Sequence, residues 1–131
     1  MVNIMSYKVL VVDDEPSVRD LLKDLLIKEK HSVQCASSGE EALDIITRED
    51  FDIVLLDIKL SGMSGLETLK KIKEIKPSLI VIMTTGFGYD EDLVAKSEEL
   101  GCSGYIGKNV PTSEIMKNFR IFAQIAKETK G

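Results

Sequence analysis

Tryptophan is absent from the 131 residues, aromatic side chains make up 5% of them, and His31 is the sole histidine. So thin a set of rings argues against the stacking platforms that hold single-stranded nucleic acid. The charge balance agrees. Seventeen basic residues against 22 acidic ones leave a net charge of −5, without the basic face that phosphate attraction requires. The two cysteines, Cys35 and Cys102, are far apart and flanked by neither histidine nor a second cysteine. They read as reduced thiols rather than a bridge or a zinc site. The longest unbroken apolar run, Leu79 to Met83, falls far short of the ~20 residues a bilayer needs. Nothing before Tyr7 has the charged-then-apolar form of a signal peptide. The expectation is a soluble cytoplasmic protein with no direct grip on nucleic acid or membrane.

What the chain does have is a hydrophobic fraction of 44%, enough for the core of a single domain. We place that domain at residues 8–127, after a disordered lead over 1–7 and before a short tail at 128–131. Five short apolar runs recur, at Lys8–Val12, Ser32–Ala36, Ile53–Leu56, Leu79–Met83 and, weakly, Ser103–Ile106. Three of them are continuously apolar, the mark of strands buried on both faces. Between them lie segments of helical period. Val18, Leu21, Leu22, Leu25 and Leu26 form one stripe; Leu66, Leu69 and Ile72 a thinner one; Ile115, Phe119, Phe122 and Ala126 the last. Ser38 with Glu41 and Ser64 with Glu67 read as capping boxes, and Pro16 suits a first helical turn. The alternation predicts an α/β fold of (βα)5 type, a parallel sheet covered on both faces. Such sheets carry their sites at the carboxyl ends of the strands.

Those ends are distinctive. Asp13 and Asp14 follow the first run, Asp57 the third, Thr84 and Thr85 the fourth, and Lys108 the fifth. Two carboxylates ~4 Å apart repel by about 4 kcal/mol at an effective dielectric near 20, so three cannot share a volume uncompensated. Lys108 or a divalent ion must join them. Oxygen ligands with water still admitted suit Mg²⁺, and such a cluster is matched to a transferring phosphoryl group with a carboxylate as nucleophile. Taken singly, each residue has a plainer reading: a helix cap, a strand-end turn, a surface lysine. Asp13, Asp14, Asp57 and Lys108 together, at three different strand ends, make coincidence a poor explanation.

In these residues the chain resembles the receiver domain of two-component response regulators. The resemblance runs from about Lys8 to Lys127. It rests on Asp13-Asp14, Asp57, the loop Leu60-Ser-Gly-Met-Ser-Gly65, Thr85-Gly86, and Gly101 and Tyr105 leading to Lys108. It implies a flavodoxin-like three-layer sandwich with strand order 2-1-3-4-5. Asp57 would be the phosphoacceptor, taking its phosphoryl group from a sensor histidine kinase or histidine phosphotransfer protein. Mg²⁺ would be held by Asp14, Asp57 and the main-chain carbonyl of Lys59, with Asp13 acting through water. Lys108 would pair with phosphoryl oxygens. Thr85 and Tyr105 would form a two-state switch read on the fourth helix, fifth strand and fifth helix. Strand alternation sends Thr84 and Thr85 to opposite faces, and the family pattern selects Thr85. Lys59 and Phe87 occupy positions that in the family tune acyl-phosphate lifetime; here Phe87 would shield the phosphoryl group from water while Lys59 stays solvated. Such a domain is a signalling element, not an enzyme, that assists its own phosphorylation and dephosphorylation. A homodimer formed on phosphorylation is left open.

Two positions depart from the family. Asn109 stands where proline usually follows the lysine in a cis bond, so a trans peptide is expected, with the placement of the ammonium open. Ser61 stands where proline is common, which predicts a looser loop after Asp57. Other readings fit less well. A magnesium-dependent phosphatase with an aspartate nucleophile would want an acid where Lys59 stands. A flavodoxin-like cofactor carrier would want a Ser/Thr/Gly-rich loop where Asp13-Asp14-Glu15 stands. A degenerate receiver would have lost Asp57, the acidic pair or Lys108.

Overall fold

A computed structural model describes residues 5–86 and 90–130, with side chains described through residue 128. Phe87, assigned a lifetime-tuning role above, lies outside the described residues. Five strands alternate with five helices: β1 (Lys8–Val12), α1 (Pro16–Lys28), β2 (Ser32–Ala36), α2 (Gly39–Arg48), β3 (Ile53–Asp57), α3 (Gly65–Ile75), β4 (Ile80–Thr85), α4 (Glu91–Glu99), β5 (Gly104–Gly107) and α5 (Thr112–Lys130). All pairings are parallel, and the sheet order is β2-β1-β3-β4-β5. The expected fold class is the one observed.

Period two along the strands divides the core. Val9 and Val11 of β1, Ile53 and Leu55 of β3, and Ile80 and Ile82 of β4 pack with Leu22 and Leu26 of α1 and with Phe119 of α5. Leu10, Val12, Val54, Leu56, Val81 and Met83 face the other way, against Ala42 and Ile46 of α2 and Leu69 and Ile72 of α3. Most of these side chains are wholly buried, and each such burial contributes roughly 1.5–3 kcal/mol.

The helix starts follow from their caps. Ser38 accepts a hydrogen bond from the Glu41 N–H at 3.1 Å, while the Glu41 carboxylate reaches back one residue further, to the Ser37 N–H. Ser64 accepts from the Glu67 N–H at 3.1 Å. Asp90 opens α4 by accepting from the N–H groups of Asp92 and Leu93. Pro16 begins α1. Each cap satisfies a donor that the helix leaves unpaired.

The strand limits differ from the sequence reading in one useful respect. β4 begins at Ile80 rather than Leu79 and continues through Thr84 and Thr85. β-branched threonines suit a pleated strand, and both pair across, Thr84 with Asp57 and Ile106, Thr85 with Gly107. Ser6 and Tyr7, placed in the lead above, are tied to the domain. Ser6 Oγ donates to the Lys30 carbonyl, and the buried Tyr7 donates its N–H to Nδ1 of His31 at 3.0 Å.

Candidate functional site

The order β2-β1-β3 places the ends of β1 and β3 side by side, where the chain reverses its direction of winding across the sheet. Parity then aims the side chains. Asp13 continues the series Val9, Val11; Asp57 the series Ile53, Leu55; Lys108 lies two past Ile106; all belong to the face covered by α1 and α5. Asp13 stays in register with the sheet through its N–H, which donates to the Ala36 carbonyl at 3.1 Å.

The outcome is a tight constellation. Lys108 Nζ donates to Asp13 Oδ2 at 2.7 Å and to Asp57 Oδ2 at 3.1 Å. Asp13 is fully buried, its carboxylate also accepting from the Glu15 N–H at 2.9 Å. Asp57 is 5% exposed and accepts from the Lys59 N–H at 3.2 Å. One ligand atom from each of Asp13, Asp14 and Asp57 falls within 4.8 Å of the others. The four residues that sequence reasoning placed at three strand ends therefore meet in one volume.

Electrostatics follow from that crowding. Burial pushes the Asp57 carboxyl above the ordinary carboxylate range; Lys108 opposes this and Asp13 adds to it. Burial pulls the Lys108 ammonium down, but its hydrogen bond to Asp13 and the charge of Asp57 outweigh that, and the net direction is up. One cation thus serves two buried anions, while Asp14 stands half-buried alongside without a cationic partner among the described residues. A hard divalent ion fits this set, which offers carboxylate oxygens and no soft donor.

Thr85 and Tyr105 lie on the opposite parity from Asp57. Tyr105 packs with Met83, its register partner, on the α2–α3 face of the core, two register positions from Thr85 across β4 and β5. The Tyr105 hydroxyl is buried and has no hydrogen-bond partner of full geometry among the described residues. Burial raises its proton affinity, and the nearby Thr85 draws it partly back. Thr84 lies on the other parity, with Ile80 and Ile82, as alternation predicts.

Asn109 does not displace the lysine. No cis peptide occurs among the described residues. The Lys108 N–H donates to the Thr85 carbonyl at 2.7 Å, and the Asn109 side-chain amide donates to the Gly86 carbonyl. Two contacts thus lash the Lys108 loop to the end of β4. Ser61, expected to loosen its loop, instead donates both its N–H and its hydroxyl to Asp14 Oδ2, at 3.1 and 3.0 Å. The sequence reading also missed Arg19, whose guanidinium donates to the Asp13 main-chain carbonyl at 2.7 Å. Its position near the start of α1 was the available signal, since helical side chains lean back toward the N-terminus and here toward the β1 end.

A family model for the response regulator receiver domain matches residues 9–120. The chain is 40% identical over 112 residues to sporulation initiation phosphotransferase F of Bacillus subtilis, covering 86% of this chain and 90% of that protein. A crystal structure of a CheY-like receiver domain protein from Methanospirillum hungatei superposes with a TM-score of 0.86 at 30% identity, covering 97% of this chain and all of that one. NtrX from Brucella abortus superposes with a TM-score of 0.89 at 30% identity over 96% of this chain. The present chain spans only 28% of NtrX. A doubly wound sheet with an acidic cluster and one lysine at its switch point defines a phosphoacceptor module. The chain belongs to the response regulator receiver domain family.

Proposed function

We propose that residues 8–127 work as the phosphoacceptor of a two-component or phosphorelay pathway, with Asp57 as the residue modified. The observation that carries this reading is the double contact of Lys108 Nζ with Asp13 and Asp57, set in a receiver fold. A carboxylate oxygen of Asp57 would attack the phosphorus of a phosphohistidine on a sensor kinase or phosphotransfer protein. The new O–P bond forms as the P–N bond breaks, and the imidazole leaves with the electron pair and takes up a proton. Lys108 would shift from Asp57 Oδ2 to a phosphoryl oxygen, keeping Asp13 as its anchor. Asp13, Asp14, Asp57 and the Lys59 carbonyl are the candidate ligands of Mg²⁺, which when bound offsets charge on the transferring group.

Thr85 is the candidate donor to the phosphoryl group on the far side, with Tyr105 following it and the α4-β5-α5 surface as output. Lys59 and Phe87 are the candidates for setting acyl-phosphate lifetime. The partner would be a cytoplasmic histidine kinase or phosphotransfer protein. The domain would act as a substrate that assists its own chemistry rather than as an enzyme turning over a separate molecule. No helix among the described residues is long and apolar enough to cross a membrane. A homodimer formed on phosphorylation is a further candidate partner.

The test is incubation with a small phosphodonor, with and without Mg²⁺, read by intact mass, and repeated with Asp57→Asn. Metal-dependent gain of one phosphoryl group in the parent and none in the variant is expected. Equal uptake by both proteins would overturn the assignment of Asp57.

A further inference from the structure

Asp14 differs from its two neighbours in how it is held. Asp13 and Asp57 each keep one oxygen on Lys108. Asp14 instead has Oδ2 fixed by two donors of a single residue, the Ser61 N–H at 3.1 Å and the Ser61 hydroxyl at 3.0 Å. The partners are 47 positions apart, so these bonds tie the end of β1 to the loop that leaves β3. Asp14, Lys59, Leu60 and Ser61 line one wall of the same surface hollow, which brings the loop backbone alongside the carboxylate. The loop turns just beyond this point at Gly62, whose φ of +78° is open to glycine at little cost.

We infer that Ser61 is a positioning residue for the cation site: it fixes the Asp14 carboxylate toward Asp13 and Asp57 before any ion arrives, and holds the Lys59 segment beside it. The inference rests on the reading of this cluster as a divalent-cation site. Its physical basis is preorganisation. An aspartate on an exposed loop end samples several rotamers, and a ligand that must be ordered on binding weakens affinity. With Oδ2 saturated by Ser61, Oδ1 is the oxygen left for the ion. A residue lacking the hydroxyl forfeits one of the two bonds. Proline, common here in the family, forfeits both, because it has no N–H either. This chain therefore holds its metal-side carboxylate by a device that a proline loop lacks.

The test is Mg²⁺ affinity, measured by isothermal titration calorimetry because the chain has no tryptophan to report binding by quenching. The full chain is titrated with Mg²⁺ as the parent, as Ser61→Ala and as Ser61→Thr, and thermal unfolding of each is recorded without metal. Ser61→Ala should bind more weakly, near the lower end of the about 10–100-fold that loss of an outer partner costs a metal site, since the N–H bond survives. Ser61→Thr, which keeps both donors, should restore affinity. The metal-free unfolding temperatures should agree among the three, separating ligand positioning from fold stability. Equal or tighter Mg²⁺ binding by Ser61→Ala would overturn the inference while leaving the site assignment standing. A parent that binds no Mg²⁺ would remove both.

Discussion

Lys108 Nζ lies 2.7 Å from Asp13 Oδ2 and 3.1 Å from Asp57 Oδ2, with the three side chains at most 11% exposed. One ammonium is thus the shared counter-charge of two carboxylates on different strands. Removing it with Lys108→Met should lower stability in metal-free buffer, by less than the about 3–5 kcal/mol typical of a broken buried pair. The loss is smaller because Asp57, already pushed toward the neutral form, can take a proton. Urea denaturation should also show Mg²⁺ recovering most of the loss, as a second source of positive charge. A variant as stable as the parent without metal would contradict the shared counter-charge.

Asp57→Asn should stabilise the metal-free protein at pH 7, because burial disfavours the ionised Asp57 carboxylate that the amide replaces. The sign follows from the direction of the shift. The Asp57 carboxyl is raised in the folded state, chiefly by burial, so its ionised form opposes folding above that value. As pH falls through it, the parent protonates Asp57 and gains stability relative to the variant. The two denaturation curves should therefore converge at acid pH. A gap that stays constant from pH 7 to 4 would count against burial as the cause.

His31 should act in the opposite sense. Its Nδ1 accepts the Tyr7 N–H, and its ring stacks on Tyr7 and meets the edge of Phe119, with centroids 5.3 and 5.4 Å away. Burial lowers its proton affinity, and Glu29 partly opposes this. A histidine depressed in the folded state contributes stability that is complete above its unfolded value, ~6.5, and is lost as pH falls through the folded one. His31→Gln keeps a side-chain acceptor but has no group that titrates here. Its stability should fall less than that of the parent between pH 7 and 5, as chemical denaturation at matched pH would show.

His31 also shows where sequence reading stops. Flanked by Lys28, Lys30 and Ser32, it has the local look of an exposed turn, and what buries it comes from residues 7 and 119. The strand ends were legible because period two and run length depend on neighbours in the chain, and these set Asp13, Asp57 and Lys108 on one parity. The clamps around them were not. Ser61 on Asp14, Asn109 on Gly86 and Arg19 on the Asp13 carbonyl join loops whose approach depends on sheet order. A departure from a family pattern shows that a contact has changed, but not what replaces it.

Tyr105→Phe tests the buried phenol. Its hydroxyl lacks a partner of full geometry among the described residues, and an unsatisfied buried polar group costs about 1–3 kcal/mol. Deleting the oxygen should leave stability unchanged or raise it by up to about 1 kcal/mol, at the low end because Thr85 is near enough to offer partial compensation. A clear loss of stability in thermal unfolding would mean that the hydroxyl is bonded in solution.

Gly65 links the loop after Asp57 to α3 and leaves no space for a side chain. A Cβ there would come within 2.6 Å of Ile58 Cα and closer still to the Asp57 carbonyl oxygen, both main-chain atoms that cannot rotate away. Gly65 is also where the loop closes, its N–H donating to the Ile58 carbonyl at 3.1 Å. Gly65→Ala must therefore move either α3 or the backbone of Asp57 and Ile58. The expected cost is about 1–3 kcal/mol, as for overpacking elsewhere in protein cores. Because the strain falls beside Asp57, phosphoryl uptake from a small donor should drop even at temperatures where the variant remains folded. Gly107→Ala is the control, since a Cβ there meets nothing within 4 Å. That variant should retain both stability and uptake; a comparable loss in it would show that the Gly65 effect is not specific to contact with the Asp57 backbone.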